Sequence, residues 1–375
     1  MPPPPSDELW MDSALRHGRR GQGRTWPNPS VGCIIVRHGR MVGRGRTMPG
    51  GRPHAEAVAV ASAGIRARGS TAYVTLEPCA HVGRSGSCAD RLVEAGVSRV
   101  VTALKDPDQR VAGRGHQRLR SAGIEVFAGC SSESAVRDHR GFLLKTVVGR
   151  PMVTLKLAMS LDGRVACRTG HSKWVTGRPA RRLVHVMRSQ HDAVLVGRGT
   201  AQADDPSLTC RLSGDVGAPA RIVLDTRLGI STGCKLAASI DDAPLWICHG
   251  TDCNPQAVRE WSSLGARLVL CRHGPEGGLD LDDVLKKLAM LGITRILCEG
   301  GPRVATSLIA KDLVDDLVGF TAGLVLGGDA MPSVGDLHCL QVGDGHRFNL
   351  LRVDYVGDDT ISVWTRPLDF HHLLP

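Results

Sequence analysis

Pro53-His54-Ala55-Glu56, followed by Glu77-Pro78-Cys79 and then Cys88, lies in a run of alternating strand and helix signals that decides the fold class. Residues 31–36 read as a strand, 54–63 as a helix, 72–76 as a strand, 88–95 as a helix and 99–103 as a strand. Apolar runs of strand length alternate there with stretches of helical periodicity. A helix over 115–122, a strand over 124–128 and a closing helix over 134–145 extend the pattern. Such alternation predicts an α/β domain of helices layered on a sheet. The half closes near residue 147, and the segment 146–151 carries the Gly149 and Pro151 punctuation of a linker. The alternation then restarts. Strands are predicted over 152–158, 193–196, 221–224, 245–248, 267–270, 295–298 and 317–321, with helices over 179–189, 280–291 and 302–311.

A chain of 375 residues exceeds one ordinary core and suits two domains, here 1–147 and 151–370. Its apolar runs are short and broken by glycine, so none approaches the roughly 20 residues that span a bilayer. The opening Met1-Pro2-Pro3-Pro4-Pro5-Ser6-Asp7-Glu8 lacks the basic start and apolar stretch of a secretory signal and reads as a frayed tail. Without an export signal, the twelve cysteines read as reduced thiols of a cytoplasmic protein. A formal charge of +10 favours an anionic partner: nucleic acid, a phosphorylated metabolite or a phosphorylated cofactor. Charge does not choose among them.

His54, Cys79 and Cys88 supply one imidazole and two thiolates, a three-ligand set for Zn²⁺ that leaves the fourth tetrahedral position to water. That is the pattern of a catalytic rather than a structural site. Glu56 follows His54 by two residues, a spacing that puts side chains on opposite walls of a helix. The two converge only if the metal sits beyond the helix's N-terminal end, with Pro53 suited to the first helical position. Glu56 can then carry protons between water, ring nitrogen and departing ammonia. Ser87 can cap a helix opening at Cys88, with Asp90 three residues on as the acid of a capping box. Any one of these residues alone is more often a core or surface side chain. The combination points to chemistry.

At these residues the chain resembles the cytidine-deaminase-like zinc superfamily, whose signature joins His-Ala-Glu to Pro-Cys. Most nucleoside and nucleic-acid deaminases of that superfamily carry Cys-x-x-Cys, whereas here eight residues separate Cys79 from Cys88. The long loop with His81, Gly83 and Arg84, and the run Pro27-Asn28-Pro29-Ser30-Val31-Gly32, resemble the bifunctional riboflavin-biosynthesis deaminase/reductase family. The resemblance implies that Asn28 contacts the pyrimidine and that His81 and Arg84 contact the base or ribose phosphate. Two departures stand out. Ser85-Gly86-Ser87 replaces the family's Thr-Pro-Pro, and Asp106-Pro107-Asp108-Gln109 replaces Asp-Pro-Asn-Pro.

The second half carries Lys156, Ala158 and Asp162-Gly163, then Ser172-Lys173-Trp174, Arg188, Gly197-Arg198-Gly199-Thr200, Asp204-Asp205-Pro206, Leu208, Arg211 and Glu299-Gly300-Gly301-Pro302. This array resembles the reductase domain of the same family. The implied fold is α/β throughout, a cytidine-deaminase-like three-layer α/β/α domain followed by a dihydrofolate-reductase-like α/β domain. The resemblance implies NADPH at Ala158, Trp174, Thr200, Asp204, Thr226, Gly301, Pro302, Arg303, Val304, Ala305, Thr306 and Ser307. It implies substrate at Lys156, Ser172, Arg188, Leu208, Arg211 and Glu299. The guanidinium forks of Arg188 and Arg211 suit a ribose 5-phosphate, and Arg227 and Arg303 are candidates for the cofactor 2′-phosphate. Without the array, Trp174 reads as core packing and Lys156 or Arg188 as solvated charge.

The expected activity is hydrolytic deamination of 2,5-diamino-6-(5-phosphoribosylamino)pyrimidin-4-one, then NADPH-dependent reduction of its ribosyl group to ribityl. The expected partner is this phosphorylated small molecule, not nucleic acid or membrane, and the expected assembly is a homo-oligomer. A nucleic-acid or nucleoside deaminase is the rival class, with the positive charge in its favour. Against it stand the long cysteine spacing and an aromatic content of 3%, low for base stacking. A non-catalytic homologue is the third reading, opposed by the intact His54, Glu56, Cys79 and Cys88.

Overall fold

The computed structural model describes residues 5–80, 86–108, 112–214, 217–275 and 277–367. The chain divides after Gly149 into two compact units. In the first, α1 (Pro5–Arg19) precedes β1 (Gly32–Arg37) and β2 (Arg40–Arg46). Then come α2 (Ala55–Ala63), β3 (Thr71–Val74), α3 (Cys88–Glu94), β4 (Arg99–Thr102), α4 (Arg114–Ser121), β5 (Glu125–Ala128) and α5 (Ser132–Val147). One five-stranded sheet has the order β2-β1-β3-β4-β5. It is antiparallel from β2 through β1 to β3 and parallel from β3 to β5.

Two elements depart from the expected series. Strand β2 alternates arginine with glycine and has no apolar run to announce it, yet Gly45 lies so close under α2 that a Cβ there would overlap the carbonyl oxygen of Ala55. That contact brings the helix carrying Glu56 down onto the sheet. The expected frayed tail is the other correction over residues 5–8, since α1 begins at Pro5 and packs on the sheet; residues 1–4 lie outside the described residues. Its anchor is Asp7, 2% exposed, which accepts hydrogen bonds from the Tyr73 hydroxyl at 2.8 Å and from Arg99 Nη1 and Nη2 at 3.0 and 2.8 Å.

Burial pushes the Asp7 carboxyl up, but the Arg99 and Tyr73 hydrogen bonds outweigh it and the pKa lies below its ordinary value. A depressed carboxyl pKa contributes stability that is present above the unfolded value of about 3.9 and lost as pH falls through the folded value. The stability gap between wild type and Asp7→Asn is therefore expected to be full at neutral pH and to shrink as pH drops below about 4. Urea denaturation across that range measures it, and a gap unchanged on the acid side would contradict the assignment.

The second unit contains β6 (Met152–Ser160), β7 (Arg164–Ala166), α6 (Arg178–Ser189), β8 (Ala193–Gly197), α7 (Arg198–Asp204), β9 (Ala220–Leu224) and α8 (Lys235–Ala238). It continues with β10 (Leu245–His249), α9 (Pro255–Ser263), β11 (Arg267–Leu270), α10 (Leu281–Met290), β12 (Arg295–Cys298) and α11 (Pro302–Ala310). Strands β13 (Asp316–Ala322), β14 (Met331–Pro332), β15 (Asn349–Val356) and β16 (Asp359–Thr365) close the unit. Nine strands form one sheet in the order β11-β10-β9-β8-β12-β6-β13-β16-β15, parallel from β11 to β13 and antiparallel at β16 and β15. Strands covered on both faces read as continuous apolar runs. Strand β8 is accordingly buried at every position. The parallel strands share one carboxyl edge, where open α/β sheets bind ligands. The terminal hairpin β15–β16 had no counterpart in the sequence reading. Among the described residues, no helix is long and apolar enough to cross a membrane.

Candidate active sites

In the first unit, His54 is not inside α2. It is the extended N-cap residue (φ −72°, ψ 162°), with Ala55 at the first helical position and Pro53 outside the helix. This corrects the expected position of Pro53 and explains how His54 and Glu56 meet: the imidazole projects past the helix end while Glu56 stands in its first turn. Ser87 caps α3 as expected, its Oγ accepting from the Asp90 amide at 3.0 Å. Asp90 takes the Ser87 hydroxyl itself, at 2.6 Å.

Among the described residues, His54, Cys79 and Cys88 are the group of metal-type ligands whose donor atoms all lie within 4.8 Å of one another. His54 Nδ1 is 3.3 Å from Cys88 Sγ and 3.7 Å from Cys79 Sγ, and the Cys88 amide donates to Cys79 Sγ at 3.4 Å. Donors of one tetrahedral zinc, with bonds of about 2.0 Å to nitrogen and 2.3 Å to sulfur, stand roughly 3.5 Å apart. The two nitrogen–sulfur separations fit one ion. Hydrogen bonding from Cys88, reinforced by His54, draws the Cys79 thiol down to about 4, in the range of a thiolate. Glu56 is 4% exposed, and burial followed by the nearby Cys79 pushes its carboxyl up to about 7.

Glu77 was quoted in the motif without a role, and the structure supplies one. Its fully buried carboxylate accepts from the amides of Asp106, Gly113 and His116 at 3.2, 2.9 and 3.1 Å. The chain leading into Cys79 is thereby bound to the segment leading into α4. Gly115 permits the fit, because a Cβ there would overlap the Pro78 carbonyl oxygen. Nothing in local spacing signals such a role, since all three donors are backbone groups. Asn28 is half-buried and donates to the Gly51 carbonyl at 3.0 Å, and its side-chain oxygen has no donor among the described residues. His81, Gly83 and Arg84 lie outside the described residues.

In the second unit the predicted residues gather at the carboxyl edge of the parallel strands in two groups. The first lines a cavity of about 480 Å³ that includes Arg198, Thr226, Arg227, Arg303, Val304 and Ser307. Arg198 had not been assigned. Thr200 Oγ1 accepts from the Gly301 amide at 3.0 Å, joining α7 to the loop after β12, and Gly301 caps α11 with Pro302 next. Ala305 is fully buried with its amide bonded to the Gly301 carbonyl. Thr306 Oγ1 is taken up by the Pro302 carbonyl and the Gly335 amide, both at 2.7 Å.

The second group surrounds Lys156 on β6. Arg188 donates from Nε and Nη2 to the two oxygens of Glu299 at 2.6 and 3.0 Å, and from Nη1 to the Thr209 carbonyl at 2.9 Å. The paired donors expected to face a phosphate therefore face Glu299. Burial lowers the Lys156 pKa, opposed by Glu299. His185, missed in the sequence, sits one helical turn before Arg188 on α6, and its Nδ1 accepts from the Arg211 amide at 3.2 Å. Arg211 is exposed, with Nη2 on Ser207 Oγ at 2.8 Å, and Asp204 is exposed at the end of α7. Leu208 is 3% exposed, and its side chain packs in the apolar core with Val194, Val223 and Ile247. Ser172 is half-buried after β7, and Ala158 is half-buried on β6. Trp174 is 67% exposed, with the Arg181 guanidinium 4.4 Å from its ring, which overturns the core-packing alternative.

Comparison with known proteins bears on both units. Residues 4–104 match the family described as the cytidine and deoxycytidylate deaminase zinc-binding region, and residues 151–362 match the RibD C-terminal domain. The riboflavin biosynthesis protein RibD of Aquifex aeolicus is 36% identical over 360 residues, covering 96% of this chain and 98% of its own. That of Escherichia coli is 38% identical over 365 residues, covering 94% and 97%. The solved structure of Acinetobacter baumannii RibD (form 1) superposes with a TM-score of 0.87 at 35% identity, covering 97% of this chain and 99% of its own. A diaminohydroxyphosphoribosylaminopyrimidine deaminase/5-amino-6-(5-phosphoribosylamino)uracil reductase from Thermotoga maritima gives 0.83 at 30% identity, covering 96% and 98%. With both units matched and relatives aligned over nearly their whole length, the chain belongs to the RibD family of bifunctional riboflavin biosynthesis proteins.

Proposed function

We propose that residues 1–147 deaminate 2,5-diamino-6-(5-phosphoribosylamino)pyrimidin-4-one and that residues 151–370 reduce the product's ribosyl group to ribityl with NADPH. The family supplies the two activities, a deaminase with a zinc-binding region and a reductase that uses a nicotinamide cofactor. The observation that carries the first step is the cluster of His54, Cys79 and Cys88 with a buried Glu56 beside it. His54, Cys79 and Cys88 would hold a zinc ion, which would supply Lewis acidity that activates water near neutral pH. Glu56 moves a proton from the attacking water to the ring nitrogen and the leaving ammonia; a carboxyl titrating near neutrality suits both directions. Asn28 offers its amide oxygen to the pyrimidine, and His81 and Arg84 contact the base or ribose phosphate.

In the second unit, Lys156, Ser172, Arg188, Arg211 and Glu299 form the substrate side. Arg188 and Glu299 orient each other and Lys156, and Arg211 is the guanidinium left to receive the phosphate. Trp174, Thr200, Asp204 and the start of α11 hold the cofactor, and the amides at a helix N-terminus receive phosphate. Arg198, Arg227 and Arg303 line one cavity with Thr226 and fit the 2′-phosphate that distinguishes NADPH from NADH. We assign a small phosphorylated substrate rather than nucleic acid, and a homo-oligomeric cytoplasmic enzyme.

Metal removal tests the first step. Treatment with a zinc chelator is expected to abolish ammonia release while leaving reduction of the separately supplied deaminated substrate unchanged, and added Zn²⁺ is expected to restore ammonia release. Full deamination by protein shown by elemental analysis to lack metal would rule the assignment out.

A further inference from the structure

Arg211 ends a short segment, 207–211, that lies against helix α6. Leu208 there has φ 53°, in the left-handed region that bulky side chains avoid, and its buried side chain fastens the turn to the core. Each of the next three residues is then held by α6. Arg188 Nη1 donates to the Thr209 carbonyl at 2.9 Å, the Cys210 thiol donates to the His185 carbonyl at 3.2 Å, and the Arg211 amide donates to His185 Nδ1 at 3.2 Å. His185 and Arg188 stand three residues apart on α6, so they share a face and reach the same segment.

The last of these bonds bears on the one guanidinium of the group that is left unpaired. Arg211 is exposed, its Nη2 donates to Ser207 Oγ at 2.8 Å, and no carboxylate pairs with it among the described residues. A long exposed side chain has many rotamers. Fixing its backbone fixes the point from which it reaches. The bond needs an unprotonated Nδ1, which puts the ring hydrogen of a neutral imidazole on Nε2. Burial, then the nearby Arg188 and Arg211, lower the His185 pKa against the opposing pull of Glu299 and a Thr209 backbone group, and so favour that neutral form.

We propose that His185 is a positioning residue for the reductase step, its neutral imidazole holding the Arg211 backbone so that the guanidinium faces the phosphate of the substrate. This rests on the reading above that Arg211 receives that phosphate. A histidine that only packs is judged by the volume of its ring. A histidine that positions Arg211 is judged by the acceptor at its δ position, which the side-chain oxygen of asparagine reproduces.

The test is steady-state reduction of the deaminated substrate, supplied separately to the full-length protein, with KM and kcat read apart and circular dichroism as a folding control. His185→Leu is expected to raise KM for this substrate about tenfold, the loss of one misdirected hydrogen bond to a charged group, and to change kcat and the KM for NADPH less. His185→Asn keeps the acceptor and is expected to remain close to wild type. Arg211→Ala is expected to raise the same KM by at least as much, and adding His185→Leu to it is expected to change nothing further, because the two act as one. An unchanged KM in His185→Leu, a His185→Asn variant as poor as His185→Leu, or a His185→Leu effect of equal size with and without Arg211 would each overturn the positioning role while leaving Arg211 at the phosphate. A wild-type KM in Arg211→Ala would instead overturn the phosphate assignment, and the proposal with it.

Discussion

Replacing Glu56 with glutamine is expected to cut the rate of ammonia release by about 10²–10⁴-fold, the usual contribution of a positioned general acid and base. The size follows from the absence of a substitute. Glu56 is buried beside the cysteine pair in the first turn of α2, and the glutamine amide keeps the shape but cannot exchange a proton. Zinc content is expected to stay the same, because the His54, Cys79 and Cys88 donors are untouched. Reduction of the deaminated substrate, supplied separately, is expected to match wild type. An ammonia assay paired with metal analysis reads both quantities, and a glutamine variant with wild-type deamination would remove Glu56 from the reaction.

The second large effect is at Glu299. Its carboxylate and the Arg188 guanidinium meet through two hydrogen bonds while their side chains are 11% and 13% exposed. Burial pushes the Glu299 pKa up, but Arg188 and then Lys156 outweigh this and hold it below its ordinary value. Glu299→Ala leaves a buried guanidinium and a half-buried ammonium without their counter-charge. Removing one partner of a buried pair costs about 3–5 kcal/mol. The expected result is a loss of that order in chemical denaturation, together with loss of reductase activity. Replacing both partners by Arg188→Met/Glu299→Leu is expected to recover much of the stability and none of the activity. A Glu299→Ala loss under about 1 kcal/mol would mean that the pair is screened like a surface ion pair.

The alternation of strands and helices was legible because the parallel strands are buried on both faces and so read as apolar runs, as in β8 and β10. What escaped the sequence had other causes. Helix α1 opens in a proline-rich, acidic stretch, and its anchor, Asp7 on Tyr73 and Arg99, joins residues far apart in the chain. Strand β2 carries glycine at 43 and 45 because α2 presses on it there, which breaks its apolar pattern. The hairpin β15–β16 has an exposed outer strand with no buried alternation to detect. In the site, the zinc-type quartet was legible as residue chemistry, but its geometry depends on His54 being a cap rather than a helical residue. The pairing of Arg188 with Glu299 and the three amides on Glu77 are contacts between distant segments, which local spacing does not encode. Leu208 and Ala305 show the converse: positions in a functional array whose side chains belong to the core.

The order of the two reactions tests the account most directly. The full-length protein is given the diaminopyrimidine ribosylamine phosphate with and without NADPH, and ammonia and NADPH are followed together. Ammonia is expected without NADPH, and NADPH oxidation is expected only after ammonia has been released. NADPH oxidation on the diamino substrate with no prior ammonia release would contradict the account.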